Sequence, residues 1–137
     1  FENYDRTHAI TQIIDDREFG DVIKGVDFEY LRKNTVVNLA TVMNMAFAPA
    51  APQNVFTDAS DLSNYSKISW QAPAIGVKPA GYYLLIRETD KSQWEKKIFV
   101  EGESVVVPYS KDNYFFAVQS VSETGNESVA VFSRGKR

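Results

Sequence analysis

Two stretches decide the architecture of this chain: Gly81-Tyr82-Tyr83-Leu84-Leu85-Ile86-Arg87 and Tyr114-Phe115-Phe116-Ala117-Val118-Gln119-Ser120-Val121. Both are short for helices, both are rich in the aromatic and β-branched side chains that suit a pleated surface, and turn-forming residues bound them. In an extended chain, successive side chains point to opposite faces. Tyr82, Leu84 and Ile86 therefore fall on one side of the first stretch, and Tyr114, Phe116 and Val118 on one side of the second. The two sets are expected to meet as facing layers of one core.

The same texture extends outward in both directions from Pro52 to the end of the chain. Short apolar runs near residues 54–57, 67–71, 81–88, 94–100, 104–107, 113–121 and 129–133 are separated by clusters of Ser, Asn, Asp, Gly and Pro. Strands at this spacing predict a mainly β protein, a seven-stranded antiparallel sandwich over residues 53–137. The chain has no internal repeat and no low-complexity tract.

Upstream the period changes. Asp27 stands where a helix N-cap belongs, its carboxylate able to accept from the free amides of the first turn. Phe28, Leu31, Thr35, Leu39, Val42 and Ala46 follow helical spacing, and Val36, Ala40, Met43 and Phe47 form a second stripe beside them. The spacing predicts a helix over 28–47. Its apolar arc is wide and carries no charge after Lys33, the pattern of a helix packed between layers of a larger domain. The helix should end at Ala48-Pro49-Ala50-Ala51-Pro52, since proline lacks the amide needed to continue the ladder. Residues 49–52 then read as a stiff linker, with residues 1–48 and 53–137 on either side.

Composition narrows the function. At 137 residues there is room for one ordinary domain and an appendage, and 44% apolar content supplies a real core. A net charge of −3 argues against a nucleic-acid partner, since the only locally basic stretch is Arg134-Gly135-Lys136-Arg137, read as a solvated terminus. The absence of cysteine excludes thiol catalysis, disulfide staples and zinc-cysteine sites together. No apolar run approaches the roughly 18 residues of a membrane span. Phe1-Glu2-Asn3-Tyr4-Asp5-Arg6 does not have the order of a signal peptide, so a mature product or a piece of a longer protein is expected.

Pro52-Gln53-Asn54-Val55, then Ile68-Ser69-Trp70 with Pro73, resemble strands A and B of a fibronectin type III domain. The stretch 81–87 resembles strand C of that family, and the stretch 114–121 with Gly125 resembles strand F and its following turn, so the likeness covers residues 50–137. It implies that Trp70 fills the centre of the sandwich and that Tyr114 makes a tyrosine corner, its hydroxyl bonding back to upstream backbone. Both roles are structural.

Glu2-Asn3-Tyr4-Asp5-Arg6-Thr7-His8, Val26-Asp27-Phe28-Glu29-Tyr30-Leu31 and Asn38-Leu39-Ala40 resemble the C-terminal end of zinc aminopeptidases of the M28 type, over residues 1–48. The chain departs from that family after the His, where Ala9-Ile10-Thr11-Gln12-Ile13-Ile14 is apolar. The resemblance implies that His8 matches the last metal ligand, whereas the earlier ligands, a His, a bridging Asp, a Glu and another Asp, lie upstream of anything in this chain. It further implies an exported bacterial protein, periplasmic, outer-membrane-associated or secreted. Zinc would then belong to the parent, and this fragment would hold no cofactor and have no activity alone. The sandwich would serve packing, spacing or substrate presentation, and the 28–47 helix would meet the missing catalytic domain or a second copy.

Other candidates have plainer readings. Asp15-Asp16 with Glu18 and Asp21 lack calcium-loop spacing and read as solvated loop charge. Trp94, among Lys91, Gln93, Glu95 and Lys96, reads either as a half-covered sheet residue or as an exposed platform for a sugar ring or a peptide. That second reading supports a rival, an independent extracellular module that binds glycan or protein and has no enzyme parent. Asn64-Tyr65-Ser66 and Asn126-Glu127-Ser128 fit the glycosylation pattern without implying a role. There is no phosphate loop, no nucleophile elbow and no second His for a triad.

Overall fold

The computed structural model describes residues 11–20, 22–60 and 63–136, in two compact units, Phe1–Thr41 and Val42–Arg137. His8 and Asp21 lie outside the described residues.

In the first unit, Gln12–Ile14 (β1) and Arg17–Phe19 (β2) form an antiparallel hairpin that pairs Ile14 with Arg17. A two-residue hairpin loop that matches strand twist needs both central residues at positive φ, and short Asp side chains tolerate that region. Asp15 (φ 48°) and Asp16 (φ 58°) occupy those positions, so these acids form the turn. Glu18 meets Lys24 at 3.3 Å.

Helix α1 spans Phe28–Phe47. Asp27 Oδ1 accepts the Tyr30 amide at 2.9 Å, and the Asp27 carbonyl accepts the Leu31 amide at 2.9 Å. Glu29 in the first turn binds Arg32 at 2.8 Å. The wide apolar arc is uncovered: none of the helix's 20 residues is buried, and Phe28, Leu31, Leu39, Met43 and Phe47 are all exposed. Its internal polar bonds, such as Thr41 Oγ1 to the Val37 carbonyl, do nothing to cover that surface.

Among its described residues the second unit holds eight strands: β3 (Gln53–Asp58), β4 (Ser66–Gln71), β5 (Gly81–Glu88), β6 (Lys96–Val100), β7 (Ser104–Val107), β8 (Tyr114–Val121), β9 (Val131–Phe132) and β10 (Arg134–Lys136). They form two four-stranded sheets, ordered β10-β3-β4-β7 and β6-β5-β8-β9. The run expected near 129–133 is shortened to β9, and the stretch from Arg134, expected to be a solvated terminus, forms an eighth strand, β10, because the chain changes sheets at Ser133. β9 pairs antiparallel with β8, whereas β10 runs parallel to β3, so not every pairing in the sandwich is antiparallel. Ser133 serves both sheets at the crossing: its amide donates to the Phe116 carbonyl (2.9 Å), and its hydroxyl accepts from Thr57 Oγ1 (2.9 Å). The switch covers the open edge of β3, which otherwise offers unpaired backbone groups.

Between the sheets, Val55, Ile68, Trp70 and Val107 from one layer meet Tyr82, Leu84, Ile86, Phe116 and Val118 from the other; the two stretches expected to face each other across the core instead pair side by side in one sheet, Leu84 beside Val118 and Ile86 beside Phe116. Burial of each large apolar side chain stabilises the fold by roughly 1.5–3 kcal/mol. The Trp70 and Tyr82 rings meet edge-on at 5.4 Å. Tyr114 is only half-buried and packs at the margin of this cluster, its ring edge-on to Tyr109 at 5.0 Å. The bond back to upstream backbone is made by the Tyr114 amide, to the Ser110 carbonyl at 3.1 Å. No helix among the described residues is long and apolar enough to cross a membrane.

Candidate functional site

A sandwich strand normally alternates apolar residues toward the core with polar residues toward solvent. The outer face of the first sheet follows that rule in the main, with Asp58, Lys67, Ser69, Gln71 and Ser104 alongside Phe56 and Val106. The second sheet breaks it. On β5 the outward residues are Tyr83, Leu85 and Arg87, and on β8 they are Phe115, Ala117 and Gln119, paired Tyr83 to Gln119, Leu85 to Ala117 and Arg87 to Phe115. β6 adds Lys97 and Phe99, and β9 places Phe132 opposite Ala117. Leu85 (5% exposed) and Ala117 (0%) lie on the outer face and yet are covered, so the rings above them form a second, small apolar layer.

Arg87 stands in the middle of this layer. Its guanidinium carbon lies 4.7 Å from the Phe115 ring centre, 5.5 Å from Trp94 and 6.0 Å from Phe132. Trp94 leans on Phe132 at 5.1 Å and 41°. The loop after β5 folds back to complete the clamp, and Arg87 Nη1 donates to the carbonyls of Lys91 and Glu88. The loop is itself tied down: Glu95 Oε2 accepts the Glu88 amide (2.9 Å), and the Thr89 amide reaches the Asn113 carbonyl (3.0 Å). A guanidinium stacked on several rings is stabilised by their quadrupoles and loses rotamer freedom. Among the described residues no carboxylate pairs with Arg87, and its Nε and Nη2 have no acceptor.

At the other end of the face, Tyr83 and Phe99 meet edge-on at 5.7 Å, with Lys97 Nζ 4.1 Å above the Tyr83 ring and paired with Glu127. Beside Phe132 a groove of about 470 Å³ opens, lined by Asn54, Phe56, Val131, Phe132 and Arg134 among others.

Among residues singled out in the sequence, Trp70, Tyr82, Leu84, Ile86, Phe116 and Val118 are buried and inert. The buried indole nitrogen of Trp70 has no hydrogen-bond partner among the described residues. Burial pushes the Tyr82 phenol up, and the negative charge of Glu103 adds to the shift. Trp94 is half-buried between Arg87 and Phe132 and is not an open platform. A zinc centre needs three or more N, O or S ligands converging on one point, and the described residues bring no such group together. No step of metal chemistry is therefore assigned to them. Arg87, Phe115 and Phe132 escape a reading based on alternation. The signal for them was the failure of 82–86 and 114–118 to alternate.

The sandwich is fibronectin type III-like. It superposes on the fn3 domain of human collagen alpha-1(XX) chain with a TM-score of 0.51 at 21% identity, over 66% of this chain and 86% of that one. It also matches an Fn3-like protein from Clostridium thermocellum, with a TM-score of 0.51 at 15% identity, over 66% and 96%. No protein-family model matches the chain.

By sequence, the whole chain is similar to fungal proteins named probable zinc metalloproteases. It is 36% identical over 132 residues to one from Pyrenophora tritici-repentis, covering 96% of this chain and 27% of that protein. A relative from Leptosphaeria maculans is 36% identical over 133 residues (96% and 30%), and one from Pyricularia oryzae is 35% identical over 133 residues (94% and 26%). The chain thus spans less than a third of these curated relatives, and the match takes in the helical segment and the sandwich together. The bacterial origin expected from the resemblance finds no support in these fungal relatives.

Proposed function

We propose that this chain is the C-terminal region of an exported zinc aminopeptidase of the M28 type, and that its sandwich is a non-catalytic accessory domain for packing, spacing or substrate presentation. The observation that carries the reading is the match of 96% of the chain to a probable zinc metalloprotease of which it spans only 27%. The bare surface of α1 supports it, since contiguous apolar patches of more than a few hundred Å² mark association surfaces. In this reading α1 packs against the catalytic part of the parent. His8 supplies one zinc ligand, and the other ligands come from outside this chain.

Expression of the full parental reading frame beside this chain tests the proposal on amino-acid p-nitroanilides. The parent should hydrolyse them and lose activity on chelation, and His8→Ala should lower its zinc content. The isolated chain should be inactive and should dimerise through α1 in light scattering. Hydrolysis by the isolated chain, or an upstream frame without His, Asp and Glu ligands, would sink the idea. The aromatic outer face favours a second reading, an extracellular binding module without an enzyme parent. Glycan or protein binding that is lost in Trp94→Ala, in a gene with no peptidase upstream, would establish it instead.

A further inference from the structure

The second unit begins at Val42, so the last turns of α1 belong to it, and they meet the sandwich through more than the linker. Asn126 Nδ2, in the loop after β8, donates to Asn44 Oδ1 at 3.1 Å. Met45 and Val129 share a groove of about 210 Å³ with the linker residues Pro49, Ala50 and Ala51. The loop between β4 and β5 reaches the same linker at Gly76, where an added β-carbon would meet the Ala50 β-carbon at 3.8 Å. This end of the sandwich is apolar and bare. On either side of Gly76, Ile75 is 77% exposed and Val77 is 76% exposed. Val129, Val42 and Met45 are exposed too, the last two on one helix face. Glu127, the acid lining the groove, is already paired with Lys97. Loop tips normally carry small polar residues, and a cluster of bare apolar side chains marks a contact surface.

Chain length limits what can cover it. From Phe47 to Ala50 is three residues, at most about 11 Å fully extended. Any body that packs on the end of α1 therefore lies beside Ile75, Val77 and Val129 as well. A partner tethered through so short a linker acts at an effective concentration in the millimolar range, which favours it over a second copy.

We propose that this linker-side end docks on the part of the parent polypeptide upstream of this chain, with Ile75 and Val77 as apolar anchors. The sandwich is then held in one orientation instead of swinging on a hinge. The inference rests on the reading of the chain as the C-terminal region of a longer protein, since it spans only 27% of the Pyrenophora tritici-repentis relative, but not on the chemistry of that protein.

Amide hydrogen exchange tests this, measured on the full parental protein and on the 137-residue chain. The amides of Ile75, Gly76, Val77 and Lys78 donate no hydrogen bond among the described residues, and should exchange fast in the chain alone. In the parent they should exchange at least ~10-fold more slowly. Ile75→Asp combined with Val77→Asp should abolish that difference. The same pair should leave the urea midpoint of the isolated chain unchanged, because both side chains already stand in water. If the variant folds poorly, the comparison of the two native proteins decides alone. Equal rates at 75–78 in the parent and the chain would overturn the proposal. So would slowing in the isolated chain that grows with its concentration, the mark of a second copy on this surface. Slow exchange at 75–78 in a parent without peptidase activity would uphold the docking and remove the peptidase reading, so the two fail separately.

Discussion

Replacing Ser128 by Ala should destabilise the sandwich and replacing Ser120 by Ala should not, although the two residues are joined by a bond from the Ser128 amide to the Ser120 carbonyl at 2.9 Å. β9 is only two residues long, so its pairing with β8 covers Ala117 and Val118 and leaves the later amides of β8 to other acceptors. The Ser120 amide donates to Ser128 Oγ at 2.9 Å, and that hydroxyl donates onward to the Val129 carbonyl at 3.0 Å. Ser120 is 0% exposed and Ser128 is 7% exposed, so water cannot readily replace the lost acceptor. Ser128→Ala strands a buried amide, which costs about 1–3 kcal/mol. The Ser120 hydroxyl, by contrast, is buried without a partner among the described residues. Its removal relieves an unsatisfied polar group, and the gain roughly offsets the small void left behind, so Ser120→Ala should be neutral or stabilising by up to ~1 kcal/mol. Urea unfolding followed by Trp fluorescence reads the sandwich, because Trp70 and Trp94 both lie there. With an m-value of about 1–1.5 kcal/mol/M, a loss of ~2 kcal/mol moves the midpoint down by roughly 1–2 M at constant m. Ser128→Ala also removes a glycosylation pattern, so both variants belong in a host that does not glycosylate. A Ser120→Ala loss as large as that of Ser128→Ala would refute the reasoning.

Asn54 has φ 50°, where a β-carbon is strained, and its side chain donates to Gln71 Oε1. Asn54→Ala should therefore lose about 1 kcal/mol in the same unfolding assay, and Asn54→Gly should lose less. Asp27→Ala removes the cap on the Tyr30 amide, and should reduce the helical ellipticity at 222 nm while costing α1 about 1 kcal/mol. The Tyr82 phenol is raised by burial, so the folded state holds its proton more tightly than the unfolded chain does. That contribution is complete below the unfolded value near pH 10 and is lost as pH rises through the folded value. Tyr82→Phe should match the native chain at neutral pH and show a shallower loss of stability above about pH 10, measured by urea midpoints across that window.

The two-residue period of a strand picks out Tyr82, Leu84, Ile86, Phe116 and Val118, and the structure buries all five, because one-face burial is a local consequence of strand geometry. The limits of α1 were legible for a similar reason, from Asp27 at one end and Pro49 at the other. The break at Ser133 was not, because it depends on Thr57 and Phe116, far away in sequence. The Arg87 clamp was half-legible. Tyr83, Leu85, Phe115 and Ala117 already announce an apolar outer face, but only the folded loop brings Trp94 and the Lys91 carbonyl around the guanidinium. His8, the residue on which the zinc reading turns, lies outside the described residues.

The parallel lie of β10 beside β3 has a mechanical consequence. The strand that enters the sandwich and the strand that leaves it are direct neighbours pointing the same way, so tension between the two ends slides them past each other. Hydrogen bonds loaded in that direction must give way together, whereas bonds pulled open from one end yield one by one. A spacer held in this manner would resist stretching well beyond what its equilibrium stability suggests.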